Sequence, residues 1–334
     1  IGPACLLMRS RMTGREQEKE LFGLLMHFVD RCADGILIGG FHTPNHRWVL
    51  SAALSLCYEL TGREDCLSRM NRLLDEGIDC DEEGEYTERS AGIYNIICDR
   101  ALITLAQTLG MTELYEYVER NLRMIYKYIE PDMTINTINS TRQDVGTAPD
   151  WRTYLYMALQ TGDKEFRWIA DRMLEQSESQ SSIEEQCPIY PPLPYFEFMP
   201  FWLLDEKLKN TWTTQETQKP YFDYDKFFEN SGIVRARQGH FSLTLLENRP
   251  VFAKLQYDTH TVYLRMAGTF YAQGQFVAES IERTENGYRM TYRRRWGYKG
   301  LLPEKQGTAD WHKMDHSKRP DVMMQDFVFH VDVT

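Results

Sequence analysis

The chain has 334 residues, 42% of them hydrophobic and 26% charged, which is ordinary globular composition and excludes a disordered protein. A formal net charge of −11 excludes a general nucleic-acid binder and leaves room for a polyanionic ligand only where a local basic cleft meets it. The opening IGPACLLMRSRM has too short an apolar run for a secretory signal, and no stretch is long enough to cross a membrane. The seven cysteines, Cys5, Cys32, Cys57, Cys66, Cys80, Cys98 and Cys187, are odd in number and show no CxxC pair. Small buried thiols in a reducing, cytoplasmic compartment are the expectation.

Helical periodicity begins at EQEKELFGLLMHFVDRC, where Leu21, Leu24, Leu25, Phe28 and Val29 recur at 3.6-residue spacing. Helices are predicted over 46–62, 63–77, 94–110 and 111–130, around Trp151 to Gln160, and over 163–176. Gly62, Gly77 and Gly110 act as stops, and short links suggest antiparallel hairpins. Longer polar connections interrupt them at 34–44, 78–92 and 131–149, where binding groups usually gather. From Phe222 the texture turns to strands: GIVRAR, HFSLTLLE, VFAKLQY, TVYLRMA, QFVAESIER, YRMTYRRRWGY and DFVFHVDVT, separated by turns such as ENRP and ENG. The expected organisation is a helical domain over 1–205, a linker over 206–221 and an antiparallel β domain over 222–334, with that last domain incomplete.

The connections hold the candidate site. GGFHTPNHRW places His42, Asn45, His46, Arg47 and Trp48 at the mouth of a helix. Thr43 or Asn45 could equally cap that helix, and Trp48 could be core or a sugar platform. DEEGEYTERSAGIYN brings Glu88 and Arg89 close to Tyr94. TINSTRQDVGTAPDW groups Arg142, Gln143 and Asp144, suited to sugar hydroxyls or carboxylates, with Asp144 or Asp150 as the cap of the next helix. This third connection is expected to share a cleft with the first.

Asn45–His46 in TPNHRW, the Gly-Glu-Tyr…Tyr tract ending at Tyr94, and SGIVRARQGHFSLTL together resemble the heparinase II/III-like polysaccharide lyases, with their alginate lyase relatives. The resemblance implies an incomplete (α/α) toroid joined to an antiparallel β-sandwich, with a cleft where the two meet. It implies an oligo- or polysaccharide substrate containing uronic acid, cleaved by β-elimination without a cofactor. In that chemistry Asn45 and His46 hold the uronate carboxylate and Tyr94 serves as base, acid or both. His42, Arg47, Trp48, Glu88, Arg89, Arg142, Gln143 and Asp144 line the substrate. The family's β-domain histidine has two candidates, His240 at a strand start and His260 in a turn beside Tyr257 and Asp258, and neither reproduces the family's HxxD-like setting.

Two rival readings stand beside this one. A glycoside hydrolase would draw paired carboxylates from Asp79, Asp81, Glu82, Glu83, Glu85 and Glu88. A non-catalytic glycan-binding protein would keep the fold without the chemistry. His312, Asp315 and His316 have spacing that could hold a divalent ion, although an exposed loop is the commoner meaning. Arg293, Arg294 and Arg295 alternate along a strand, so only part of the run can face one side. No nucleic-acid or membrane partner is expected, and a homo-oligomer is left open.

Overall fold

The computed structural model describes residues 1–144, 150–184, 203–211, 214–305 and 307–334. Helices come first: α1 (Gly2–Arg11), α2 (Glu16–Ile38), α3 (Pro44–Thr61), α4 (Glu64–Leu74), α5 (Tyr94–Leu109), α6 (Tyr115–Tyr128), α7 (Trp151–Thr161), α8 (Lys164–Glu184) and α9 (Glu206–Thr211). Strands follow: β1 (Tyr224–Phe228), β2 (Ile233–Gln238), β3 (Phe241–Leu246), β4 (Ala253–Tyr257), β5 (His260–Leu264), β6 (Ser280–Thr284), β7 (Gly287–Lys299) and β8 (Asp321–Val333). The order of α then β is as the sequence implies. Among the described residues, no helix is long and apolar enough to cross a membrane.

Pro44 opens α3, where its missing N–H is no loss, and Gly62, Gly110 and Gly162 end α3, α5 and α7 in the left-handed conformation. Helices α1, α2, α8 and α9 depart from expectation, α8 running past 176 to Glu184 and α9 lying in the expected linker. Helix α1 was not foreseen, because Cys5 is its one buried residue and supplies no periodic stripe; Arg9 ties it to Glu59 on α3. Helix α2 runs on to Ile38, so the first connection shortens to 39–43. Val29 and Ala33 are the buried residues of that helix, while Leu21, Leu24, Phe28 and Ile38 are exposed.

The chain divides into two units, Ile1–Asp223 and Tyr224–Thr334. Residues expected as a linker over 206–221 are therefore part of the helical unit. Leu208 is 1% exposed, the Gln215 side chain donates to the Ala158 carbonyl, and Gln218 N–H donates to the Lys164 carbonyl. Five of the seven cysteines, Cys5, Cys57, Cys66, Cys80 and Cys98, are buried free thiols, and Cys32 is exposed. Burial pushes the Cys57 thiol up to about 11. Cys187 lies outside the described residues.

In the second unit, strands β1 to β5 form one antiparallel sheet in chain order and β6 to β8 another. Val234, Leu245 and Ala253 from the first sheet and Ile281, Met290 and Tyr292 from the second share a single apolar core with Phe252 and Phe276. The opposite face of the first sheet is also buried but polar: Arg235, Thr244 and Lys254 sit side by side across β2, β3 and β4. Strand β1, unforeseen, pairs with β2 through Tyr224↔Arg237 to Phe228↔Ile233. His260 opens β5 opposite Tyr257 rather than lying in a turn; the turn consists of Asp258 and Thr259. Two members of the basic run pair with acids of its own sheet and its approaches, Arg294 with Glu279 and Arg295 with Asp326, and Arg293 is exposed.

Asp150, just before α7, is buried and does not cap the helix with its side chain. It instead receives Arg152 Nε at 2.8 Å, Arg100 Nη2 at 3.2 Å and the Thr153 hydroxyl. Burial works against the charge, but the two guanidiniums prevail and hold the carboxyl at about 2. Asp150→Asn is predicted to cost about 3 kcal/mol in urea unfolding, because it strips a buried pair of one charge. The lowered carboxyl stabilises above its free value of 3.8, and the benefit is lost as pH falls through about 2. The gap between wild type and variant therefore narrows in that window, and a gap independent of pH would refute the ion-pair account.

Candidate functional site

Three connections of the helical unit meet at one carboxylate. Glu88 is 4% exposed; its Oε2 accepts Asn45 Nδ2 at 2.6 Å, and its Oε1 accepts Arg142 Nη2. The Glu88 carbonyl also accepts the Thr141 hydroxyl at 2.7 Å. The mouth of α3, the loop before α5 and the segment after α6 are thereby joined through one residue. Two charge-assisted bonds compensate Glu88 for its lost hydration.

Asn45 is itself buried, and its amide donates to the Thr43 hydroxyl at 3.2 Å as well as to Glu88. Neither residue caps α3 with its side chain: Thr43 occupies the cap position without a side-chain cap bond. His42 is exposed and His46 half-buried, with the two rings edge to face at 4.7 Å. Arg47 and Trp48 turn away from this group. Trp48 is fully buried and donates Nε1 to Asp79 at 2.7 Å, which excludes it as a sugar platform. Arg47 lies over the Trp48 ring at 4.4 Å and pairs with Glu76 and Asp79.

Tyr94 begins α5. Its backbone N–H is accepted by Ser90 Oγ at 3.0 Å, and the same hydroxyl donates to Asp144 Oδ1 at 2.6 Å. Ser90 thus serves the helix start as a capping hydroxyl while tying it to the third connection. The Arg142 guanidinium stands 5.5 Å above the Tyr94 ring. Among the described residues, the Tyr94 hydroxyl makes no hydrogen bond, and the residue is half-buried. Gln143 is exposed and Asp144 half-buried, while Arg89 adopts a left-handed turn with φ of 48°.

Beneath this layer lies a second carboxyl. Glu85, 5% exposed, accepts Asn95 Nδ2 at 3.1 Å, with the Tyr128 hydroxyl and Asn139 Nδ2 each at 3.5 Å. Gly84 beside it has φ of 95°, and a Cβ there would lie 2.4 Å from the Arg120 carbonyl oxygen, so the loop can seat on α6 only with glycine. Sequence reasoning missed Ser90, Asn95, Tyr128 and Asn139. One signal was available: Asn95 and Asp99 sit four apart in the largely apolar tract YNIICDRALITL.

Of the other acids of 79–88, Asp79 and Asp81 are committed to structure, while Glu82 is exposed. Asp79 holds Trp48 and Arg47, and Asp81 accepts the backbone N–H groups of Glu83 and Glu85. In the β unit, His240 Nδ1 contacts Asp258 Oδ1 at 2.5 Å, the side chains being 74% and 48% exposed, with Tyr257 6.4 Å away ring to ring. Among the described residues, His260 has no such carboxylate. His316 is engaged with the Trp311 carbonyl and the Arg319 guanidinium, and Asp315 caps its own turn. Among the described residues, no His, Cys, Asp and Glu grouping suits a metal ion.

No protein-family model matches the chain, and no curated protein is similar to it.

If Glu88 joins Asn45 to Arg142, the two cannot act independently. A double-mutant cycle with Asn45→Ala and Arg142→Ala, read by urea unfolding, should give a coupling of about 0.5–3 kcal/mol. Strict additivity would remove the bridge.

Proposed function

We propose that the chain is a carbohydrate-active protein, a lyase that cleaves uronic-acid-containing glycans by β-elimination. The observation that carries this reading is Tyr94, its hydroxyl unengaged among the described residues and its ring beneath the guanidinium of Arg142, at the meeting point of three polar connections. In this reading the helices form an incomplete (α/α) toroid, the two sheets form a β-sandwich, and the chain is similar to the heparinase II/III-like lyases.

The uronate carboxylate meets Arg142, with His46 and His42 as further donors. Asn45 contributes by holding Glu88, because both its amide hydrogens are in use and it reaches a substrate only by releasing Thr43. Neutralising the carboxylate acidifies the proton on C5. The base removes that proton, the C5–H pair forms the C4–C5 double bond, the C4–O4 bond breaks, and O4 takes a proton from Tyr94. Within the helical unit Tyr94 can be that base as well as the acid. The hydrolase reading is weaker because Asp79, Asp81, Glu85 and Glu88 are all hydrogen-bonded inside the fold. A non-catalytic binder keeps the same contacts.

Incubation with a panel of uronic-acid polysaccharides should raise the ultraviolet absorbance of a 4,5-unsaturated uronate. Tyr94→Phe should lower kcat by about 10²-fold or more, and Arg142→Ala by about 10²-fold. New reducing ends without absorbance would mean hydrolysis, and binding without either product would leave glycan recognition alone.

A further inference from the structure

We infer that Glu85 is a positioning residue of this site: its buried carboxyl ties α5 to residues 129–144 through Asn95 and Asn139, and its protonation state decides how firmly Tyr94 and Arg142 are held. The inference rests on the reading of the site above. It goes beyond it in naming a residue that touches no substrate and makes the site's order depend on pH.

The connections are short. Asn95 donates to Glu85 and accepts the Ser90 N–H at 3.2 Å, and Ser90 in turn serves the Tyr94 N–H and Asp144. Asn139 donates to Tyr128 at 3.0 Å and to Glu85 at 3.5 Å, three residues before Arg142. Release of Glu85 therefore loosens both walls at once.

The proton enters through burial. Desolvation pushes the Glu85 carboxyl up to about 7, against the Asn95 hydrogen bond, the Arg89 charge and the Tyr128 hydroxyl, while Asp81 adds to the rise. A carboxyl raised in the closed arrangement binds its proton more tightly there than when released into water. Closure is thus favoured at low pH, and the advantage is lost as pH rises from the free value of 4.5 through about 7. Burial pushes Asp99 up as well, with the Tyr86 hydroxyl and Arg100 working against it and Asp150 adding to it; Glu85 is not among the groups that set it.

Hydrogen exchange on the full chain, expressed as protection factors between pH 4.5 and 8, tests this. In wild type, opening of 90–95 and 139–144 should rise by up to about tenfold per pH unit and level off above about 7. Glu85→Gln, fixed in the neutral form, should stay closed and flat across the range. A flat wild type, or a Glu85→Gln variant that opens as wild type does, would overturn the inference. If Glu85→Gln does not fold, Asn95→Ala decides: losing the donor that lowers the carboxyl should move the levelling-off to higher pH, and an unmoved one overturns the inference. The readout needs no turnover, so intact pH-dependent opening without β-elimination would keep the role of Glu85 and remove only the lyase reading.

Discussion

A carboxylate taken almost wholly out of water must have its charge answered, and Glu88 is the place where this chain meets that demand. Asn45 and Arg142 answer it from opposite sides, and each comes from a different connection. The cost of burying one charge thus dictates where three loops run. The position of Tyr94 follows, because the Arg142 guanidinium that neutralises Glu88 also stands over the phenol ring. Arg142 serves two partners, so its placement is set jointly by the acid and by the aromatic face.

Around that centre the helices supply rigid walls. Helix α3 brings Asn45 inward because Trp48 and Leu54, on the same element, are fully buried. Helix α5 starts where Ser90 catches its first N–H, and α6 receives the loop at Gly84, which no larger residue could occupy. Polar groups inside this layer are joined in chains in which one hydroxyl or amide serves two neighbours. Such networks hold a single geometry as long as every member is satisfied.

Much of the fold was readable in the sequence for a physical reason: apolar periods of 3.6 and 2 report which face is buried, whatever the tertiary details. α4 and α6 were readable in that way, as were β2, β3 and β4. Helix α1 and strand β1 were not, since each buries a single residue. In the site, clustering of unlike polar residues singled out Asn45, Glu88 and Arg142, the family resemblance added Tyr94, and those four do meet. Trp48 shows the limit of that signal, for a tryptophan beside a polar cluster reads the same whether it faces a ligand or the core. Asn95 and Asn139 were illegible because an amide does not announce its partner; what Glu85 needs is set by pairings that only the folded chain creates. The dual role of Ser90 was hidden for the same reason.

The bonds that close the site span long stretches of chain: 43 residues separate Asn45 from Glu88, and 54 separate Glu88 from Arg142 and Ser90 from Asp144. Helical hairpins such as α3 with α4 form from near neighbours and can assemble early. Loop closure over 43 and 54 residues comes with a larger entropy loss, and it is rewarded only once the hairpins already stand. By that argument the site closes only after the hairpins that frame it. A chain can hold most of its helices and still lack these long-range bonds, so helix content alone is a poor measure of whether a preparation of this protein is fully folded.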